Sequence, residues 1–151
     1  MEAQKPVLIL TVGLPGSGKS TYLAQLSVNP VSTDAIRLQL ADDATDQSIN
    51  GAVFATAQYL VRKRVELGRP VTYVDATNLT VKDRSYFIDL GKDLGCRMEA
   101  VYFDTPLDVC QQRNQNRARI VPPEVIEMLA ARLVPPTIEE GFDAVTTVVP
   151  T

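Results

Sequence analysis

Gly13-Leu14-Pro15-Gly16-Ser17-Gly18-Lys19-Ser20-Thr21 is the stretch on which the reading of this chain turns. Its spacing is G-x-x-x-x-G-K-[ST], that of a phosphate-binding loop, and it stands in the context such a loop needs. Val7-Leu8-Ile9-Leu10-Thr11-Val12 before it reads as a buried strand, and Tyr22-Leu23-Ala24-Gln25-Leu26 after it continues as a helix. The residue types follow from the chemistry. Glycines let the backbone fold tightly, so that several N–H groups converge on one anion. The helix starting near Gly18 adds the positive end of its dipole. Lys19 can then reach the β- and γ-phosphates of a nucleoside triphosphate, and the Ser20 hydroxyl is placed to ligate Mg²⁺.

The rest of the composition narrows the function classes. A chain of 151 residues is expected to form one domain with a real core. Its 45% hydrophobic and 22% charged residues are those of a soluble globular protein. Net charge is −3, so no general positive field is present to grip long nucleic acid, and any nucleic-acid substrate must be held locally, near an end. Two cysteines, Cys96 and Cys110, and no histidine leave neither a zinc-type cluster nor a disulfide framework. The start of the chain lacks the apolar core of a signal peptide, and no run reaches membrane-spanning length. The expected compartment is the cytoplasm.

Taken in order, a first helix is expected over about 18–27, stopped by Asn29-Pro30. Val31-Ser32-Thr33 leads into a helix carrying Asp34, Ile36, Arg37 and Leu40, and an acidic loop follows at 41–47. A long helix over about 48–67 shows Ile49, Val53, Ala57, Leu60 and Leu67 near helical period, and Gly68 and Pro70 end it. Val71 to Asp75 is a strand, Thr80 and Asp83 resemble a capping box, and Met98 to Phe103 is another strand. Thr105 reads as the cap of a polar helix that runs on through Arg113 and Arg117. Pro122-Pro123 starts a helix with Val125, Met128, Leu129 and Leu133, Thr137 to Glu140 is a capping-box turn, and Ala144 to Val149 a last strand. Strands alternate with helices, and those at 7–12 and 71–75 are continuous apolar runs, which predicts an α/β fold with a parallel sheet covered on both faces. Ligands of such sheets bind beyond the carboxyl ends of the strands, so the loop, Asp34 and Asp75 should meet at one edge.

Three further groups bear on chemistry. Asp75 ends an apolar strand, as a carboxylate facing Mg²⁺ or the acceptor does. Asp34 and Arg37 are one turn apart and could simply pair, but beside the loop a carboxylate can take the proton of an attacking hydroxyl and an arginine can hold the acceptor. Arg113 and Arg117, four apart, are expected on one helical face with no acidic partner between Asp108 and Glu124. With Arg119 they read as a lid, at about 111–133, that clasps the transferring phosphoryl group. The basic run Arg62-Lys63-Arg64 reads as helix-end compensation, and both cysteines as packing residues.

This constellation resembles the polynucleotide 5′-hydroxyl kinase branch of the phosphate-loop kinases. The residues carrying the resemblance are GLPGSGKST, Ser32-Thr33-Asp34-Ala35-Ile36-Arg37, Val74-Asp75-Ala76-Thr77-Asn78 and Arg113-Asn114-Gln115-Asn116-Arg117, together with the Val121-Pro122-Pro123 helix and the Gly141-Phe142-Asp143 tail. The resemblance implies a three-layer αβα fold around a five-stranded, mainly parallel sheet with a helical lid. It implies ATP and Mg²⁺ as cofactors, held by the loop with Lys19 and Ser20. Asp34 would be the general base for a 5′-hydroxyl, and Arg37 would hold the acceptor's phosphate. Asp75, Thr77 and Asn78 would line the acceptor pocket, with Asp75 there or at the metal, and Arg113 and Arg117 would be the lid arginines. The acceptor implied is a 5′-OH nucleic-acid end. A small hydroxylated metabolite, an ATP-binding regulatory module and a mechanical ATPase are the alternatives.

Overall fold

A computed structural model of the chain describes residues 4–117 and 120–149. The order is β1 (Val7–Val12), α1 (Lys19–Gln25), β2 (Val31–Ser32), α2 (Thr33–Ala41), α3 (Asn50–Glu66), β3 (Val71–Asp75), α4 (Val81–Asp93), β4 (Arg97–Phe103), α5 (Leu107–Gln115), α6 (Pro123–Arg132) and β5 (Ala144–Val148). Single 3₁₀ turns stand before α3 (Gln47–Ile49) and before β5 (Ile138–Glu140). The five strands form one sheet in the order β2-β3-β1-β4-β5, and every neighbouring pair is parallel. β1 lies at the centre, pairing Val7 to Leu10 with Val71 to Val74 and Val7 to Val12 with Arg97 to Tyr102. Its apolar residues are therefore needed on both faces, as the continuous run Val-Leu-Ile-Leu requires.

On one face, Leu8, Leu10, Val74, Met98 and Ala100 pack with Val53, Ala57 and Val61 of α3 and with Phe87, Ile88 and Leu90 of α4. On the other, Ile9, Val101 and Phe103 pack with Tyr22 of α1, whose ring meets Phe103 edge-on at 5.3 Å. This is the expected α/β sandwich of helices about a parallel sheet. A third, smaller cluster joins Leu14 of the loop to Leu79, Cys110 and Ile126, beneath α5 and α6. Arg84 is fully buried and ties α4 to the chain after α6. It makes a bidentate pair with Glu140 at 2.6 and 3.0 Å and donates to the carbonyls of Asn78, Leu79 and Val134. Among the described residues no helix is long and apolar enough to cross a membrane.

Several local expectations are corrected by packing. On α3 the third buried position is Val61, one residue beyond the expected Leu60, which is exposed together with Leu67. On α6 the buried residue is Ile126, while Met128 faces solvent. The Thr80–Asp83 and Thr137–Glu140 capping boxes are both present. Thr105, however, does not cap α5; Pro106 takes that position, and the Thr105 hydroxyl donates to the Ser17 carbonyl at 2.8 Å. α5 also stops sooner than its polar pattern suggested. It ends at Gln115, and the buried Asn114 side chain bonds both the N–H and the carbonyl of Val121, turning the chain back. Arg117 thus lies past the helix end rather than on one helical face with Arg113.

Candidate active site

The loop between β1 and α1 is shaped by two glycines in the left-handed region, Gly16 (φ 81°) and Gly18 (φ 106°). A Cβ on Gly16 would stand 2.7 Å from the Cys110 carbonyl oxygen, a backbone atom that cannot yield. The loop is therefore held from outside as well as by its own turns. α5 presses on Gly16, Thr105 holds the Ser17 carbonyl, and Leu14 is buried in the cluster with Leu79, Cys110 and Ile126. The Gly13 N–H donates to the Thr77 carbonyl at 3.0 Å, which joins the loop to the chain leaving β3. The loop is thus tied by α5, by Thr105 and by the chain leaving β3.

Lys19 arches back over this loop. Its Nζ donates to the Gly13 and Leu14 carbonyls at 2.9 and 2.8 Å, which uses two of the three donors of an ammonium and leaves one for a phosphate oxygen. Burial pushes the Lys19 ammonium down from 10.5 to about 8; the carboxylates of Asp75 and Asp34 oppose the fall and the Arg117 charge adds to it. At the next residue, Ser20 Oγ donates to Asp75 Oδ2 at 3.4 Å. Burial raises the Asp75 carboxyl, with Lys19 pulling it back. A hydroxyl and a carboxylate side by side at a strand end fit Mg²⁺, which keeps several waters and takes few protein ligands besides phosphate oxygens. No group of three or more acidic, histidine or cysteine side chains able to hold a metal occurs among the described residues, and Mg²⁺ with a nucleotide does not need one.

Asp34 stands in the first turn of α2, whose start is capped by Ser32 accepting from the Ala35 N–H at 3.2 Å. β2 pairs Ser32 with Asp75, so the helix start and the end of β3 are adjacent. Asp34 is half exposed, whereas the Arg37 side chain is only 7% exposed and is already engaged, with Nη1 on Asp34 Oδ1 at 3.1 Å and Nη2 on Asn50 Oδ1 at 2.8 Å. Arg37 thus stands behind Asp34 and links it to Asn50 at the start of α3. Asn78 is likewise not at the rim. It is buried, with φ 46°, and its Nδ2 donates to the Thr11 carbonyl at 2.8 Å. Asp75 and Thr77 remain partly exposed at the edge.

Of the expected lid, Arg113 is exposed with its Nη1 3.4 Å from the place a Cβ on Gly18 would occupy. Arg117 is exposed, and its charge acts on both Lys19 and Asp75. Arg119 lies outside the described residues. α6, at the far end of the expected lid, is anchored by Ile126 to Leu14 and Leu79. Cys96 and Cys110 are buried and free, and burial raises both thiols. Sequence reasoning missed the parts played by Thr11, Asn50 and Asn114, and gave Thr105 a cap in place of its bond to the Ser17 carbonyl. Only Thr11 carried a signal, a hydroxyl inside an otherwise apolar strand.

Residues 8–136 match the family model described as AAA domain. The chain is 25% identical over 146 residues to the L-seryl-tRNA(Sec) kinase of Methanococcus maripaludis, covering 91% of this chain and 56% of that protein. It is 29% identical over 120 residues to the L-seryl-tRNA(Sec) kinase of Homo sapiens, covering 78% and 34%. It thus spans about half and one third of the lengths of these two relatives. In fold it is similar to a presumed kinase from Chloroflexus aurantiacus, with TM-score 0.75 and 18% identity over 98% of this chain and 87% of that one. Together with the loop between β1 and α1, the match over residues 8–136 shows that the chain belongs to the AAA domain family and has the phosphate-loop kinase fold.

Proposed function

We propose that this protein transfers the γ-phosphoryl group of ATP, with Mg²⁺, to an alcohol carried by a nucleic acid. One observation carries the reading. Asp34, braced by the buried Arg37, shares one sheet edge with Lys19 and the Ser20–Asp75 pair, close enough for its charge to act on both Lys19 and Asp75. A nucleotide-binding module needs the cradle but has no use for a braced carboxylate facing it.

The loop N–H groups and Lys19 hold the triphosphate and neutralise the charge that develops as the γ-phosphoryl group departs. Ser20 and Asp75 would hold Mg²⁺, directly or through its waters, and the ion would supply positive charge against the phosphates. Asp34 accepts the proton of the acceptor hydroxyl as its oxygen bonds to the γ-phosphorus, and the bond from that phosphorus to the β-phosphate oxygen breaks to release ADP. Arg113 and Arg117 stabilise the transferring group from the α5 side. Catalysis rests on positioning and charge, with no covalent enzyme intermediate.

The acceptor favoured by the sequence motifs is a 5′-OH nucleic-acid end. The two curated relatives favour a second reading, the seryl hydroxyl of a charged tRNA. Both put the alcohol on a nucleic acid, held near its reacting end because the chain is net acidic. The buried free thiols fit a reducing compartment such as the cytoplasm. The test incubates γ-labelled ATP and Mg²⁺ with 5′-OH oligonucleotides, serine-charged tRNA and a panel of sugars and nucleosides. Label on either nucleic-acid acceptor supports the proposal and chooses between its forms. Label only on a small alcohol, or only in inorganic phosphate, overturns it.

A further inference from the structure

The ladder between β1 and β3 ends at Leu10–Val74, one residue before the site begins. Beyond it β1 pairs only with β4, through Thr11–Val101 and Val12–Tyr102, and Asp75 pairs only with Ser32 of β2. The two strands that deliver the phosphate loop and Asp75 therefore separate where their relative position matters. The gap is bridged by side chains. Thr11 is fully buried, and its hydroxyl lies 3.2 Å from the Val74 carbonyl and 3.0 Å from the Ala76 carbonyl while accepting from the Ala76 N–H at 3.3 Å. It thus holds the backbone on both sides of Asp75. From the other direction, the Asn78 amide donates to the Thr11 carbonyl, and the Thr77 carbonyl accepts from the Gly13 N–H.

We infer that Thr11 is a positioning residue: its hydroxyl replaces the missing ladder bond and sets the distance between Asp75 and Ser20 at which the pair accepts Mg²⁺. A hydroxyl suits the place because it can accept from one backbone N–H and donate to one of two carbonyls at once. A valine of the same shape would leave the Ala76 N–H unpaired in the core and let β3 drift from the loop. The inference rests on the proposed Mg²⁺–nucleotide role of Ser20 and Asp75, and not on the identity of the acceptor.

The test measures ADP and ATP affinity by calorimetry, with and without Mg²⁺, for the wild type, Thr11→Val and Thr11→Ser. Metal-free affinity, carried by the loop N–H groups and Lys19, should be the same in all three. The gain in affinity that Mg²⁺ confers should fall by at least about 10-fold in Thr11→Val, the size typical for loss of a group that supports a metal ligand. Thr11→Ser, which keeps the hydroxyl, should restore it. An unchanged gain in folded Thr11→Val, an equal loss of metal-free binding, or a Thr11→Ser protein as impaired as Thr11→Val would overturn the assignment. If Thr11→Val does not fold, Thr11→Cys takes its place against Thr11→Ser, with the same expected contrast. Because binding is read directly, a wild type that binds Mg²⁺–ATP but phosphorylates nothing would sink the proposed function and leave this test intact.

Discussion

Lys19 should take up a proton when ATP binds at alkaline pH. In the nucleotide-free protein burial holds its ammonium at about 8, against 10.5 for an ordinary lysine. At pH 8.5 about three-quarters of the free protein then carries neutral Lys19. A triphosphate in the cradle restores the charged form, so binding should draw in about 0.7 proton at pH 8.5 and almost none through this group at pH 6.5. Calorimetry in two buffers of different ionisation enthalpy reads the proton count directly. The same lysine predicts the stability of the free protein. Between pH 8 and 10.5 the unfolded chain holds more protons than the folded one, so stability should rise with pH through that window. The full effect is about 3 kcal/mol, because a buried charge that costs stability at neutral pH is gone at pH 10.5. In Lys19→Ala that rise should be absent, and phosphoryl transfer should be lost while the fold persists. ATP binding without proton uptake at pH 8.5, together with a flat stability profile in the wild type, would refute the claim that Lys19 is held desolvated over the loop.

Two other substitutions separate chemistry from architecture. Arg117→Ala should lower kcat by about 10³-fold while changing the KM for ATP little, as for an arginine that acts on the charge of the transition state; steady-state kinetics showing only a raised KM would reassign it to ground-state binding. Glu140→Ala removes the partner of the fully buried Arg84 and should cost about 3–5 kcal/mol in denaturant unfolding, since the guanidinium is left charged and unpaired, and a loss under about 1 kcal/mol would show that water or another group takes over.

How much of this was legible beforehand depends on whether the signal was local. The phosphate loop, its flanking strand and helix and both capping boxes depend on neighbours within a few residues, and the parallel sheet follows from the alternation of strands with helices; all are where the residue order put them. Which of two adjacent apolar residues is buried does not. Leu60 and Val61 on α3, or Ile126 and Met128 on α6, are equivalent by period, and contact with α4 or with Leu14 decides between them. The end of α5 was missed because Asn114 turns the chain through a bond to Val121, a contact that no helix propensity encodes. In the site, Asp34, Asp75, Lys19 and Ser20 were legible as residue types at strand and helix ends. Their supports were not. The bond of Arg37 to Asn50 links two helices across 13 residues, and Asn78 belongs to the Thr11 bridge across 67 residues of sequence.

The general base is the point on which enzyme and binding module part. Asp34→Asn keeps the size of the side chain, an oxygen for the Arg37 guanidinium and the Ser32 cap of α2, so the fold and ATP affinity should persist. Transfer is another matter, since general-base assistance is worth about 10²–10⁴-fold. The most direct measurement is single-turnover transfer of label from γ-labelled ATP to the nucleic-acid acceptor, wild type beside Asp34→Asn, with ATP affinity determined on the same preparations. The wild type should show acceptor-dependent transfer, reduced at least about 100-fold in Asp34→Asn at equal ATP affinity. Equal transfer by the two proteins, or label appearing only as inorganic phosphate whatever acceptor is present, would contradict it.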